Sequence, residues 1–190
     1  MHIKIFSPHD EIITQQIDQF RRENPGNTSS STAEERKIHA DKYCSDQDIT
    51  QWIVAMDGDV GNVVVGTAGV FARTITVNGK PANLGGIGKV RVATAQRKKG
   101  IGNQMMEVAM QQLHTNKADV AFLCTDLNSF LADWYKKYGF EVLPKPYTYT
   151  GASGKRYTEQ DGMLAVIKSP DIFEKIMKSS DALDLGKGNW

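Results

Sequence analysis

The segment Val90-Arg-Val-Ala-Thr-Ala-Gln-Arg-Lys-Lys-Gly-Ile-Gly102 carries the strongest chemical signal in the chain. A strand-like stretch gives way to a basic loop with two glycines, and the apolar spacing then becomes that of a helix. The N–H groups of such a loop, together with the positive end of the helix dipole, form a seat for an anion, a pyrophosphate above all. Gly100 and Gly102 let the ligand come close to the main chain. Arg97, Lys98 and Lys99 add positive charge beside it. By itself this is also how any tight strand-to-helix connection reads. A dinucleotide fingerprint would need a third glycine, but the position holds Met105. A P-loop would need Gly-Lys-Ser/Thr, which is absent.

Arg97-x-x-Gly100-x-Gly102 resembles the acyl-CoA pyrophosphate loop of the GNAT superfamily of N-acetyltransferases. About thirty residues further on, Asn128-x6-Tyr135-x-x-x-Gly139-Phe140 is similar to that family's second signature. The order of the two is the family's, and the resemblance is centred on residues 84–143. Thr94 departs from it, standing where the family often has proline. The resemblance implies an α/β fold: a mixed, mostly antiparallel central sheet with helices on both faces. It implies acetyl-CoA as acyl donor, no metal, and direct transfer to an amine without an acyl-enzyme. Val90, Val92 and Ala93 would meet the pantetheine arm, and the loop from Arg97 through Ile101 to Gly102 the pyrophosphate. The Val92 N–H would donate to the thioester oxygen as charge builds on it. Tyr135 is the implied general acid, since a phenol with an ordinary pKa of about 10 is protonated at neutral pH; a core aromatic is the plainer alternative. Asn128 either bonds the cofactor or caps the helix. Many family members carry a strand glutamate as base near positions 85 and 86, and here both are glycine.

The acceptor is less legible. Pro144-x-Pro146, Gly151 to Tyr157 and Glu159-Gln-Asp161-Gly162 are similar in layout to aminoglycoside 2'-N-acetyltransferases, where an acidic segment meets a cationic sugar. Glu159 and Asp161 fall on that segment. Asp46 and Asp48 are candidates to face the same cleft from its other side. Lys89 and Arg91 pull the other way: two apart on a strand they share a face, which would suit a carboxylate-bearing acceptor. A small-molecule amine, polyamine-like or aminoglycoside-like, is the expected partner. A protein or peptide amine, an acyl-CoA sensor without catalysis, and a nucleotide-binding α/β protein are the competing classes.

These residues need elements to position them. Strands are expected over Ile3–Phe6, Gln51–Met56, Val63–Thr76, Gly88–Thr94, Asp119–Thr125, Glu141–Leu143 and Met163–Ile167. Asp57-Gly58-Asp59 and Asn78-Gly79 signal hairpin turns. Helices are expected from Asp10 to Arg22, with Ile12, Ile13, Ile17 and Phe20 on one face, and from a capping box at Thr32 to Tyr43. Three more run over Ile101–Leu113, over Ser129–Tyr138 with Phe130 and Trp134 in the core, and from Ser169 to Lys178. The stretch 24–32 reads as a turn-rich loop, and Gly186–Trp190 as a loose polar end.

With 190 residues and a formal charge of +1, the chain fits one domain over 1–190 and has no global attraction to nucleic acid or membranes. No apolar run reaches membrane-spanning length and no signal-peptide pattern opens the chain, so a cytoplasmic location is expected. Cys44 and Cys124 match no metal spacing, a disulfide between them is not expected, and the four histidines are scattered. Oligomeric state is not encoded in any motif; a homodimer is one option.

Overall fold

The computed structural model describes residues 1–25, 32–58 and 63–190. The expected loop at 24–32 falls largely on residues 26–31, outside the described residues, as does Asp59 of the turn that follows the second strand. The chain begins with β1 (His2–Phe6), α1 (Glu11–Glu23) and α2 (Ala33–Lys42). Asp10 caps α1 by accepting from the Ile13 N–H, and Thr32 and Glu35 form the capping box of α2. Ile13, Ile17 and Phe20 are buried, but Ile12 is 74% exposed. It stands about 100° round the helix from Ile13, beyond the edge of the stripe that the sheet covers.

β2 (Ile49–Asp57), β3 (Val63–Val77) and β4 (Lys80–Val92) form an antiparallel meander with β1. Asn78 and Gly79 both take positive φ, 49° and 74°, the geometry of a tight type I′ hairpin between β3 and β4. The crossover helix α3 (Ile101–Thr115) leads to β5 (Val120–Cys124), which lies parallel to β4. Then come α4 (Phe130–Lys136) and β6 (Glu141–Val142). The seven-stranded sheet has the order β1-β2-β3-β4-β5-β9-β6, where β9 is Gly162–Val166. A second sheet of three strands holds β7 (Tyr147–Thr150), β8 (Arg156–Glu159) and β10 (Leu183–Lys187), with α5 (Pro170–Lys178) preceding β10.

Period-two alternation sorts the large sheet into two cores. Trp52, Val54 and Phe122 face α1, α5 and the small sheet, while Ile53, Ala55, Ala121 and Leu123 face α3 and α4. Helices therefore cover both faces, as expected. Phe130 is 79% exposed, contrary to the expectation of a core role. It opens α4 one residue after the Ser129 cap, on the side of the helix away from the sheet.

The largest departure lies in the last part of the sequence. Leu183–Lys187 is a strand parallel to β7, and Asn189 and Trp190 are 0% and 4% exposed. Leu183 and Leu185 alternate inward, which pins β10 to the core. The composition of Gly186–Trp190 is polar, yet its polar groups find partners inside the protein.

Candidate active site

The opening between β4 and β5 is created by their pairing. Leu84, Gly85 and Gly86 pair with Val120, Ala121 and Phe122, and the two strands continue to Val92 and Cys124 without further pairing among the described residues. A register shift against β3 falls at Lys89, whose φ is +55°. This bulge bends β4 away from β5. Lys89 and Arg91 nonetheless share one side of the strand, as their spacing of two suggests. Lys89 Nζ pairs with Asp46 at 2.8 Å, and Arg91 Nη1 donates to the Asn24 carbonyl at 2.7 Å, so both are tied towards the α1–α2 side. Arg21 joins them, donating to the Lys89 carbonyl at 3.0 Å.

Past the bulge, Ala93 N–H donates to the Val65 carbonyl at 2.9 Å. Antiparallel alternation then turns the N–H and C=O of Val92 away from β3, into the opening. Arg97 Nε takes that C=O at 3.3 Å. Val90 and Val92 pack towards α3, and Ala93 towards the other core. Lys98 and Gly100 take positive φ, 64° and 80°, so the loop turns sharply before α3. No side chain caps α3 and no acidic residue lies in its first turn. The N–H groups of Ile101, Gly102 and Asn103 thus meet the requirement for a phosphate seat. Lys99 Nζ is bonded to Gln96 Oε1.

Helix α4 closes this half. Ser129, not Asn128, caps it, accepting from the Leu131 N–H. Asn128 is exposed, with its N–H on Asp126 Oδ1. Trp134 Nε1 donates to Asn103 Oδ1 at 2.7 Å, and the ring lies 3.4 Å from where a Cβ on Gly102 would stand. The start of α3 is thereby locked to the last turn of α4. Tyr135 is 7% exposed and packs against Trp134 and Phe140. Burial, and secondarily the nearby Cys124, push its phenol above the ordinary range, so it holds its proton.

On the opposite face, residues from four separate segments meet. Glu159 accepts Lys42 Nζ at 2.6 Å on one oxygen, and Tyr149 at 2.9 Å and Tyr147 at 3.0 Å on the other. The Tyr147 hydroxyl also lies 2.6 Å from Asp161 Oδ1. One phenolic proton cannot serve two carboxylates at once; the shorter contact is to Asp161, and Glu159 has Lys42 and Tyr149 besides. Burial, and then the charge of Glu159, raise the Asp161 carboxyl above its ordinary range. Burial also opposes charge on Glu159, but Lys42, Tyr149 and Tyr147 outweigh it and hold Glu159 below the usual value. Cys124, at the open end of β5, has its thiol pushed up to about 12 by burial and by Asp161, so it is no thiolate nucleophile. Tyr43 Oη stands 3.9 Å from its sulfur. Asn189 Nδ2 reaches that sulfur at 3.5 Å and Tyr147 Oη at 3.2 Å.

Glu159 and Asp161 are therefore brought together, as the acidic segment suggested. Asp46 and Asp48 are not part of that cluster. Asp46 pairs with Lys89, and Asp48 with Arg73, which in turn holds the carbonyls of Leu185 and Gly188. Tyr43, Tyr147, Tyr149, Asn189 and Trp190 did not stand out in the sequence. Tyr147-Thr-Tyr149 and Tyr157-Thr-Glu159 do alternate with period two, which was the available signal.

Residues 7–143 match the family model described as an acetyltransferase (GNAT) domain. The chain belongs to the GNAT acetyltransferase family. As such it uses acetyl-CoA as its acetyl donor. No protein with a curated description matches the chain by sequence. Among solved structures, it is similar to the GNAT family N-acetyltransferase YhbS of Escherichia coli in complex with CoA. That likeness has a TM-score of 0.61 and 18% identity, over 96% of this chain and 88% of the other. Naa20 of Chaetomium thermophilum, in complex with a bisubstrate analogue, has a TM-score of 0.58 and 15% identity, over 98% and 97% of the two chains. A GNAT family acetyltransferase of Brucella melitensis in complex with acetyl-CoA has a TM-score of 0.51 and 20% identity, over 74% and 83%. At these identities the likeness establishes the fold. The uncapped start of α3 and the outward N–H of Val92 fit the donor's phosphates and its thioester carbonyl. No described helix of this acetyltransferase is long and apolar enough to cross a membrane.

Proposed function

We propose that this acetyltransferase moves an acetyl group from acetyl-CoA directly to a primary amine of a small, cationic acceptor. The observation that carries the acceptor class is the acidic, tyrosine-walled cluster at the open end of β5. Two carboxylates within reach of one phenol, beside the stacked rings of Tyr149 and Tyr157, suit an ammonium group. Helix α2 covers the cluster: Asp41 accepts the Tyr157 hydroxyl at 2.6 Å, and Lys42 reaches Glu159. Such enclosure favours a small molecule over a long peptide.

In this reading the acceptor's ammonium group is held by Glu159 and gives its proton to Asp161, the carboxylate whose affinity for a proton is raised. The neutral amine attacks the thioester carbon. Charge building on the carbonyl oxygen is met by the Val92 N–H. The C–S bond breaks, Tyr135 protonates the departing sulfur, and the second proton lost by the new amide nitrogen passes through solvent to the Tyr135 phenolate. Asp161 thus takes over the task that a strand glutamate at position 85 or 86 would perform.

The test is release of CoA, with mass identification of the acetylated product, over a panel of spermidine, lysine, an aminoglycoside and a short peptide. Acetylation of the polyamine or the aminoglycoside, with the peptide untouched, is expected. Acetyl-CoA binding without acetylation of any amine would overturn the proposal in favour of a sensor. Preference for the peptide would overturn the acceptor class.

A further inference from the structure

The feature of this chain that the proposed chemistry does not use is the pair Asn189-Trp190. Gly86 is the last residue of β4 paired with β5. A Cβ on Gly86 would stand 2.2 Å from the Trp190 ring, and one on Gly88 would stand 2.9 Å from the Trp190 main chain. By contrast, a Cβ on Gly85 points at Leu113 and Ala118, on the α3 side. The two glycines of β4 that face the acceptor side therefore leave a space, and the indole fills it. Its N–H donates to the Phe122 carbonyl at 3.2 Å, at the point where the strands part. Phe71 stacks on the ring at 5.3 Å, and the Arg73 guanidinium lies over it at 4.1 Å. Beside it, the Asn189 amide bridges Cys124, Tyr147 and Glu159.

We propose that Trp190 is the specificity-determining wall of the acceptor pocket, and that Asn189 is a positioning residue for the Glu159–Tyr147 pair. The inference rests on the acceptor site proposed above. The ring sets how much space lies between β4 and the acidic cluster, so it fixes which amine can bring its nitrogen to the thioester. It also keeps bulk water out of the opening between the strands. A displaceable plug is the competing account. It is disfavoured by the anchoring of the segment: Arg73 holds two of its carbonyls, Ser45 Oγ donates to the Asn189 carbonyl, and β10 pairs with β7.

The experiment uses the full chain with Trp190→Ala, Trp190→Phe and Asn189→Ala. Three quantities are measured: acetyl-CoA affinity, slow hydrolysis of acetyl-CoA without acceptor, and kcat/KM over amines graded in size from putrescine to an aminoglycoside. Trp190→Ala should lower kcat/KM for the smallest amines by roughly tenfold and raise it for the bulkiest, because lost packing contacts in a pocket discriminate on that scale. Hydrolysis should rise, acetyl-CoA affinity should stay within about twofold, and Trp190→Phe should restore the original size order. Asn189→Ala should lower kcat/KM equally for all acceptors. An equal change across all sizes in Trp190→Ala, whether a rise or a loss, overturns the wall. So does unchanged hydrolysis, a readout that needs no acceptor. If the unaltered protein acetylates none of the amines, the acceptor proposal falls, and the hydrolysis comparison still decides the role of the ring.

Discussion

The proposed donor and acceptor halves of the site are built in opposite ways. The donor half comes from one stretch, in which β4, the loop and α3 run on and α4 follows after β5, with α3 and α4 locked together by Trp134 and Asn103. The acceptor half is gathered from α2, the end of β5, the β7–β8 hairpin and the segment after β10. Main-chain groups dominate the first and side chains the second. A main-chain site tolerates sequence drift, because any residue supplies an N–H. A side-chain site can be retuned by single substitutions, and that is where relatives on one fold can diverge in substrate.

Four substitutions would break or sharpen that contrast. The largest effect is expected from Tyr135→Phe, a donor-half position that acts through its side chain. Turnover should fall about 100-fold or more, the scale of general acid catalysis, with acetyl-CoA affinity unchanged; an equal loss of affinity would mean that Tyr135 only packs. Asp161→Asn should cost up to about 100-fold in kcat/KM and change the pH profile. A base works deprotonated, so activity should rise with pH through the Asp161 range, displaced upwards from that of an ordinary carboxylate. In the Asn variant that limb should vanish, and a retained limb would move the base elsewhere.

Gly86→Ala tests the packing at the meeting point of the halves. With a Cβ 2.2 Å from the indole, the chain must shift, at a cost of about 1–3 kcal/mol. Denaturant unfolding should show the loss, and Trp190→Ala in the same chain should relieve most of it. Gly102→Asp should weaken acetyl-CoA by roughly tenfold, or about 1.4 kcal/mol, through like-charge repulsion at the start of α3. Calorimetric titration would read this directly, and an unchanged dissociation constant would displace the phosphates from that loop.

How much of this was legible follows from the same contrast. Arg97, Gly100, Gly102 and Tyr135 carry local patterns, and the secondary structure that positions them is encoded by short-range apolar spacing. The acidic pair Glu159 and Asp161 could be noticed, but nothing local says that Tyr147 lies between them. Asp46 and Asp48 looked like equivalent candidates until their cationic partners Lys89 and Arg73 came into view. Period two placed Lys89 and Arg91 on one face, where both are found, but no local pattern announced the bulge at Lys89. Such a bulge depends on the partner strand.

By itself the sequence determined the family, the order of most elements and the caps that start α1 and α2. All of these depend on residues a few positions apart. Tertiary structure alone decided that Gly86 rather than Gly85 faces Trp190, that burial raises the Asp161 carboxyl while Lys42 and Tyr149 help hold Glu159 down, and that a polar-looking segment buries Asn189 and Trp190. Burial and hydrogen-bond competition are properties of a folded neighbourhood, set by groups far apart in the chain.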